Sequence, residues 1–202
     1  MIGLINRRRA AQGGSPALPY DAEVEYLQSN DIQYIDTGFV PDDTSGIYIK
    51  CVCIKTRNNA IPVGVRENTS DTRFMINFSN TIELSWNTYL SCGLYSTDLD
   101  YEIENNFLNS RLGKVDGEVK RTNYPTLNNI TKSVYLFALN QYGHANIFFY
   151  GRIKAVKFSR GNSVVMDLIP VRIGQTGYMY DRISGQLFGN SGTGNFIIGN
   201  DK

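Results

Sequence analysis

Gly46-Ile47-Tyr48-Ile49-Lys50-Cys51-Val52-Cys53-Ile54-Lys55 is the stretch that decides the fold. Apolar side chains recur at every second residue, with Ile47, Ile49, Cys51 and Cys53 on one face. Tyr48, Lys50, Val52 and Ile54 fall on the other, which predicts a strand covered on both sides or lying near an edge. The same period of two recurs along the chain. Residues 72–77 set Phe74 beside Ile76, and residues 81–86 align Ile82, Leu84 and Trp86. Further strands are expected at 101–104, 133–139, 146–158, 163–168 and 196–198. No stretch of ten or more residues carries the 3.6 period of an amphipathic helix.

Two local signals sharpen this reading. Lys114-Val115-Asp116-Gly117-Glu118-Val119 places Asp-Gly between two β-prone runs, the signature of a two-residue hairpin. Within residues 146–158 the inward set begins as Ile147, Phe149 and Ile153 but ends as Val156 and Phe158. That change of parity predicts a β-bulge near Lys154 or Ala155. Many short strands with Gly, Asn and Asp turns give an all-β class and a two-sheet sandwich or barrel.

The totals bound the function. At 202 residues the chain suits one domain with a substantial core. Its net charge of +1, from 20 basic and 19 acidic residues, supplies no global field toward nucleic acid or an anionic membrane. No run of ~18 apolar residues is present to span a bilayer. The opening Met1-Ile2-Gly3-Leu4-Ile5-Asn6-Arg7-Arg8-Arg9 puts the charges after a very short apolar run, the reverse of the secretory order. Cys51, Cys53 and Cys92 are odd in number, and two of them share a strand face, so they read as free thiols rather than a disulfide framework. A reducing compartment is the expectation.

Residues 1–19 differ from the rest. Arg7, Arg8 and Arg9 form a basic cluster, and Gly13-Gly14-Ser15-Pro16 follows. This reads as an arm and linker (1–19) carrying a domain at 20–202. The three arginines are expected to anchor the chain on an acidic patch of a partner protein.

Catalytic arrangements are weak. His144 stands alone in a loop between two strands, with no Cys positioned as its partner. One His and a same-strand Cys pair do not form a tetrahedral zinc set. Glu102 and Glu104 share one strand face and could approach the separation that a retaining glycosidase uses, but the Glu-x-Asp-x-x-Glu arrangement of jelly-roll glucanases is absent. A solvated outer strand accounts for them. The Gly-rich end, residues 189–195, lacks the Lys-Ser/Thr of a phosphate loop and reads as a turn before the last strand. No catalytic, metal or cofactor site is expected. The aromatic residues expected at a sugar-binding surface are Trp86, Tyr89, Tyr142, Tyr178 and Tyr180, with Asp181 and Arg182 as hydrogen-bonding neighbours.

Several segments then carry a resemblance. Glu25-Tyr26-Leu27-Gln28-Ser29 and Gln33-Tyr34-Ile35-Asp36-Thr37-Gly38 resemble the opening of a concanavalin A-like, laminin-G-type jelly roll of the kind found in tailed-phage and prophage virion proteins of gut bacteria. Phe149-Tyr150-Gly151-Arg152-Ile153-Lys154, Leu168-Ile169-Pro170-Val171-Arg172, Gly177-Tyr178-Met179-Tyr180-Asp181 and Gly185-Gln186-Leu187-Phe188-Gly189-Asn190 resemble its closing part. The likeness spans about residues 22–200. It implies a two-sheet antiparallel sandwich acting as an adhesion module rather than an enzyme. No Asp pair matches the calcium ligands of some laminin-G domains, so no metal is carried over.

The expected role is a virion structural protein made in the host cytoplasm. Its arm would hold a lectin-like domain on a capsid or head fibre, in many copies, in contact with other virion proteins and with host surface glycans. A tail or baseplate position, a free carbohydrate-binding module and a glycoside hydrolase are the alternatives, in that order.

Overall fold

The computed structural model describes residues 18–55, 58–67 and 72–202. The basic cluster Arg7, Arg8, Arg9 lies outside the described residues, as does nearly all of the arm. The first half of the chain supplies β1 (Ala22–Glu23), β2 (Leu27–Asn30), β3 (Ile35–Asp36), β4 (Ser45–Cys53), β5 (Ala60–Arg66), β6 (Arg73–Phe78), β7 (Ile82–Trp86) and β8 (Thr88–Ser91). The middle supplies β9 (Asp100–Asn105), a 3-10 turn at Phe107–Asn109, β10 (Gly113–Val115), β11 (Glu118–Arg121), β12 (Tyr135–Leu136), β13 (Leu139–Gln141) and β14 (His144–Asn146). The last part supplies β15 (Tyr150–Arg160), β16 (Ser163–Ile173), β17 (Thr176–Asp181), β18 (Leu187–Phe188) and β19 (Ile197–Ile198).

These strands form two sheets. The larger runs β11-β10-β9-β4-β15-β16-β17-β18, with β1 on β16 and β2 bridging β15 and β19. The smaller runs β14-β13-β5-β6-β7-β8, with β12 joining β3 to β5. All pairs are antiparallel except β5 with β13. The architecture is the expected all-β sandwich. No helix among the described residues is long and apolar enough to cross a membrane.

Alternation explains the core. Ile47, Ile49, Cys51 and Cys53 of β4 are all fully buried, as the period-two reading requires. Phe74, Ile76 and Phe78 of β6 and Ile82, Leu84 and Trp86 of β7 face them from the smaller sheet. Aromatic rings tie the layers, with Phe39 stacked on Phe158 at 4.6 Å between centroids and Phe78 tilted on Phe149 at 5.9 Å. The Asp-Gly hairpin forms as read: Val115 pairs Glu118, and Asp116 (φ 50°) and Gly117 (φ 80°) make the turn. The bulge also forms, since Ile153 pairs Cys51 while Ala155 pairs Lys50.

Three expectations need adjusting. Residues 133–139 are not one strand. Phe137 takes a left-handed backbone (φ 64°), separating β12 from β13, and its amide donates to the Pro62 carbonyl. Residues 144–146 turn back on β13 through Tyr142 (φ 58°) and Gly143 (φ 91°), so β15 starts only at Tyr150. Ile147 (φ 48°) accordingly leaves the main core and packs on a separate cluster of Ile61, Met75 and Leu139.

Buried polar groups stitch the β7–β8 end. Among the described residues Arg121, 5% exposed, meets no carboxylate. Its guanidinium donates to the carbonyls of Leu84 (2.9 Å), Thr88 (3.2 Å) and Asn123 (2.9 Å) and stacks over the Tyr124 ring. Tyr124 donates to Asn105 Oδ1 (2.6 Å), and Asn105 donates to the Ser85 carbonyl, joining the two sheets.

Candidate functional site

Cross-strand register sets three rows of side chains on the outward face of the smaller sheet. The middle row runs Tyr89, Ser85, Met75, Gly64, Leu139 and Asn146, because each pairs directly with the next. One flanking row runs Arg73, Arg66, Gln141 and His144. The other holds Ser91, Glu83 and Asn77.

The middle row is sunken. Ser85, Met75 and Leu139 are buried, the last two in the small cluster against which Ile147 packs. A Cβ at Gly64 would meet the Met75 Cβ at 2.5 Å and Ile61 Cγ2 at 2.9 Å, so glycine is required where these side chains fill the floor. At the β8 end Tyr89 stands up, 62% exposed, with the Arg73 guanidinium 5.6 Å from its ring centroid. Tyr89 also lines an open cleft of ≈ 410 Å³ beside Thr88, Leu90, Lys120, Thr122 and Asn123.

The Asn77 row is held in a chain of hydrogen bonds. Asn77 Nδ2 donates to Glu83 Oε2 (2.8 Å) and to Asn59 Oδ1 (2.8 Å), and Ser79 Oγ donates to Glu83 Oε1 (2.7 Å). The upright Tyr89 ring, over a packed layer of Met75, Leu139 and Ser85 that is itself at most 6% exposed, gives a surface on which a flat, hydroxyl-rich ligand can lie.

Apart from Tyr89 and Tyr142, the sequence-derived candidates do not converge here. Trp86 is a correction: it is 1% exposed, edge-on to Phe74 at 5.3 Å, and its Nε1 donates to the Pro125 carbonyl (2.8 Å). Its ring belongs to the core face with Ile82 and Leu84 and presents no surface to a sugar. Asp181 is a second correction, 1% exposed. Its carboxylate accepts from the amides of Asp167, Ile183 and Ser184 and from Ser184 Oγ, which staples the 181–186 turn. Burial works against its charge, but these hydrogen bonds prevail and hold it below the usual carboxylate range.

Tyr178 and Tyr180 stand on the larger sheet, half-buried, with Tyr180 edge-on to Tyr20 at 5.0 Å. Arg182 is exposed and ion-paired with Asp167 at 2.6 Å. Of the seven, only Tyr89 and Tyr142 reach the outward face of the smaller sheet, Tyr142 at the turn beside Gln141 and His144. Arg73, Met75, Asn77 and Glu83 escaped the sequence reading, although the odd positions of residues 72–77 mark their side of the strand.

All three cysteines are free and buried. Burial raises each thiol, Cys53 to about 11, so they remain protonated near neutrality. Glu104 is ion-paired with Lys114 at 2.9 Å, and Glu102 is exposed opposite Lys50. Among the described residues no three His, Cys, Asp or Glu side chains gather as a metal-holding group.

No protein-family model and no curated protein matches the chain. Solved structures do. A candidate carbohydrate-binding protein of Bacteroides ovatus superposes with a TM-score of 0.63 at 11% identity, over 88% of this chain and 60% of that one. The CBM40 module of the Ruminococcus gnavus IT-sialidase, bound to alpha2,3 sialyllactose, gives 0.52 at 15% identity, over 70% of this chain and 91% of the module. The NanB sialidase of Streptococcus pneumoniae gives 0.51 at 10% identity, over 88% of this chain and 39% of the enzyme. The chain thus spans about three fifths of the Bacteroides protein and a smaller part of the sialidase. At these identities the likeness is one of fold, a lectin-like β-sandwich.

Proposed function

We propose that the domain is a non-catalytic carbohydrate-binding module whose ligand lies across the outward face of the smaller sheet. The observation that carries this is the row from exposed Tyr89 to the sunken Met75–Gly64 floor, edged by Arg73 and Arg66 on one side and Asn77 and Glu83 on the other. Such an open face binds one chain weakly and gains strength from multiple copies. The sandwich likeness to carbohydrate-binding modules supports the reading. Glycan-array binding by the full chain, with Tyr89→Ala alongside, tests it. Loss of about tenfold or more in affinity with unchanged stability is expected. An array that stays blank, or a Tyr89→Ala chain that binds as well as the parent, counts against it.

The setting we propose is a phage particle, where the module would be displayed on a capsid, head fibre or tail and held by Arg7, Arg8 and Arg9. This rests on the resemblance of residues 22–200 and on the basic arm. Purified particles should contain the protein by mass spectrometry, and a chain starting at Pro19 should fail to rebind them. Particles without the protein would refute the setting while leaving the glycan reading intact.

A further inference from the structure

The outward face of the larger sheet carries a second cleft, of ≈ 590 Å³, lined by Glu25, Tyr26, Lys50, Asp100, Arg152 and Lys154, with Ala155 and Lys202 completing it. Its size falls in the range of small-molecule sites, about 300–1,000 Å³. The β-bulge builds it. Arg152 pairs Val52 and Ala155 pairs Lys50, so Lys154 is the extra residue inserted between them. The insertion sends Lys154 to Asp100 (2.7 Å) and leaves the small Ala155 beside Lys50. Bulges re-aim side chains in this way at binding sites.

Arg152 is pre-oriented. Its Nε donates to Gln28 Oε1 (2.8 Å), and its guanidinium lies 4.7 Å from the centroid of the Tyr26 ring. Among the described residues its two terminal nitrogens have no acceptor, and Lys50 Nζ forms no ion pair. The side chains lining the cleft are Lys50, Arg152, Lys154 and Lys202 against Glu25 and Asp100, a surplus of two positive charges, with Glu102 and Asp116 in the adjoining cleft on the other side of Lys50. A guanidinium fixed by one nitrogen and one face, with its fork open, matches the two oxygens of a planar or tetrahedral oxyanion.

We propose that this cleft binds the oxyanion of an acidic glycan, with the Arg152 fork as the primary contact and Lys50 beside it. The site is independent of the smaller-sheet platform and lies on the opposite face of the sandwich. One domain could therefore hold two glycan segments at once.

The test is calorimetric titration of the full chain with a galacturonic acid trisaccharide, the neutral galactose trisaccharide, and inorganic sulfate. In the Tyr89→Ala background, which removes the platform contact, the uronate should bind and the neutral sugar should not. Arg152→Gln should weaken the uronate by about tenfold or more, as expected for a lost charge-assisted pair. Arg152→Lys should rescue only part of that loss, because an ammonium cannot present the fork. Thermal denaturation of each variant checks that the fold is kept, and Lys50→Gln gives a second, milder loss. Sulfate binding with the same Arg152 dependence would support an oxyanion site that does not discriminate carboxylate from sulfate. Failure of both anions to bind, equal binding of the neutral sugar, or an Arg152→Gln chain that binds the uronate unchanged would each overturn the proposal. Tyr89→Ala should leave uronate binding intact, which separates this site from the platform.

Discussion

The two outward faces of this sandwich are built on different principles. On the larger sheet outward side chains include charged groups paired across strands, as with Glu104–Lys114 and Lys154–Asp100. Such a face interacts well with water and offers recognition only where a pair is left open, as at Arg152. On the smaller sheet the centre is apolar and sunken, and the polar groups stand at its edges around Tyr89. A sheet that needed only solubility would not carry Met75 and Ile61 on its outward side, since polar residues there complete the usual alternation. The difference shows that outward-facing apolar residues, more than charge, mark the candidate platform.

The comparison can be broken at its strongest point first. Trp86 and Tyr89 are three residues apart, yet one is core and the other surface. Trp86→Ala should cost about 3–5 kcal/mol of stability through the cavity it leaves, whereas Tyr89→Ala should change stability by no more than about 0.5 kcal/mol. Urea unfolding of both variants checks this, and similar losses would show that Tyr89 is structural. Next in size is Gly64→Ala. The added Cβ collides with Met75 and Ile61, so a loss of about 1–3 kcal/mol is expected, with glycan affinity falling as the floor distorts. A neutral result in the same unfolding experiment would mean that the floor is loosely packed.

Asp181 gives a smaller, pH-dependent effect. Its folded-state carboxyl lies below the usual value, so its stabilisation is present above the unfolded carboxylate range, about pH 4, and is lost as pH falls through the folded value. Asp181→Asn should therefore flatten the acid limb of the stability curve below about pH 4 while leaving glycan affinity unchanged. An unaltered acid limb would show that the turn does not depend on the charge. Smallest of all, Glu104→Gln removes a partly exposed ion pair and should cost about 1 kcal/mol. A loss of measurable polysaccharide cleavage in that variant would reopen the glycosidase alternative.

Much of the frame was legible in the residues. The alternation in β4, the Asp-Gly hairpin and the change of parity at Lys154 each have a local cause, and each appears where the sequence puts it. The break at Phe137 has no such local cause. A bulky residue with positive φ is held there by the Pro62 carbonyl, a partner brought close only by the finished fold. The site was less legible for a related reason. Alternation shows that Arg73, Met75 and Asn77 share a face, but only register across four strands sets them beside Tyr89 and Arg66. Alternation aligns Trp86 with Ile82 and Leu84 on the core face, whatever its aromatic type suggests. Strand position, more than aromatic type, decides which rings reach the surface.

The central claim is that the smaller-sheet face, and not the tyrosines of the larger sheet, holds the glycan platform. The most direct test takes the best neutral glycan from an array and titrates it calorimetrically into the parent chain, Tyr89→Ala and Tyr178→Ala. The account predicts that Tyr89→Ala loses about tenfold or more in affinity while Tyr178→Ala matches the parent. Loss on Tyr178→Ala with Tyr89→Ala unaffected would contradict it and place the platform on the opposite sheet.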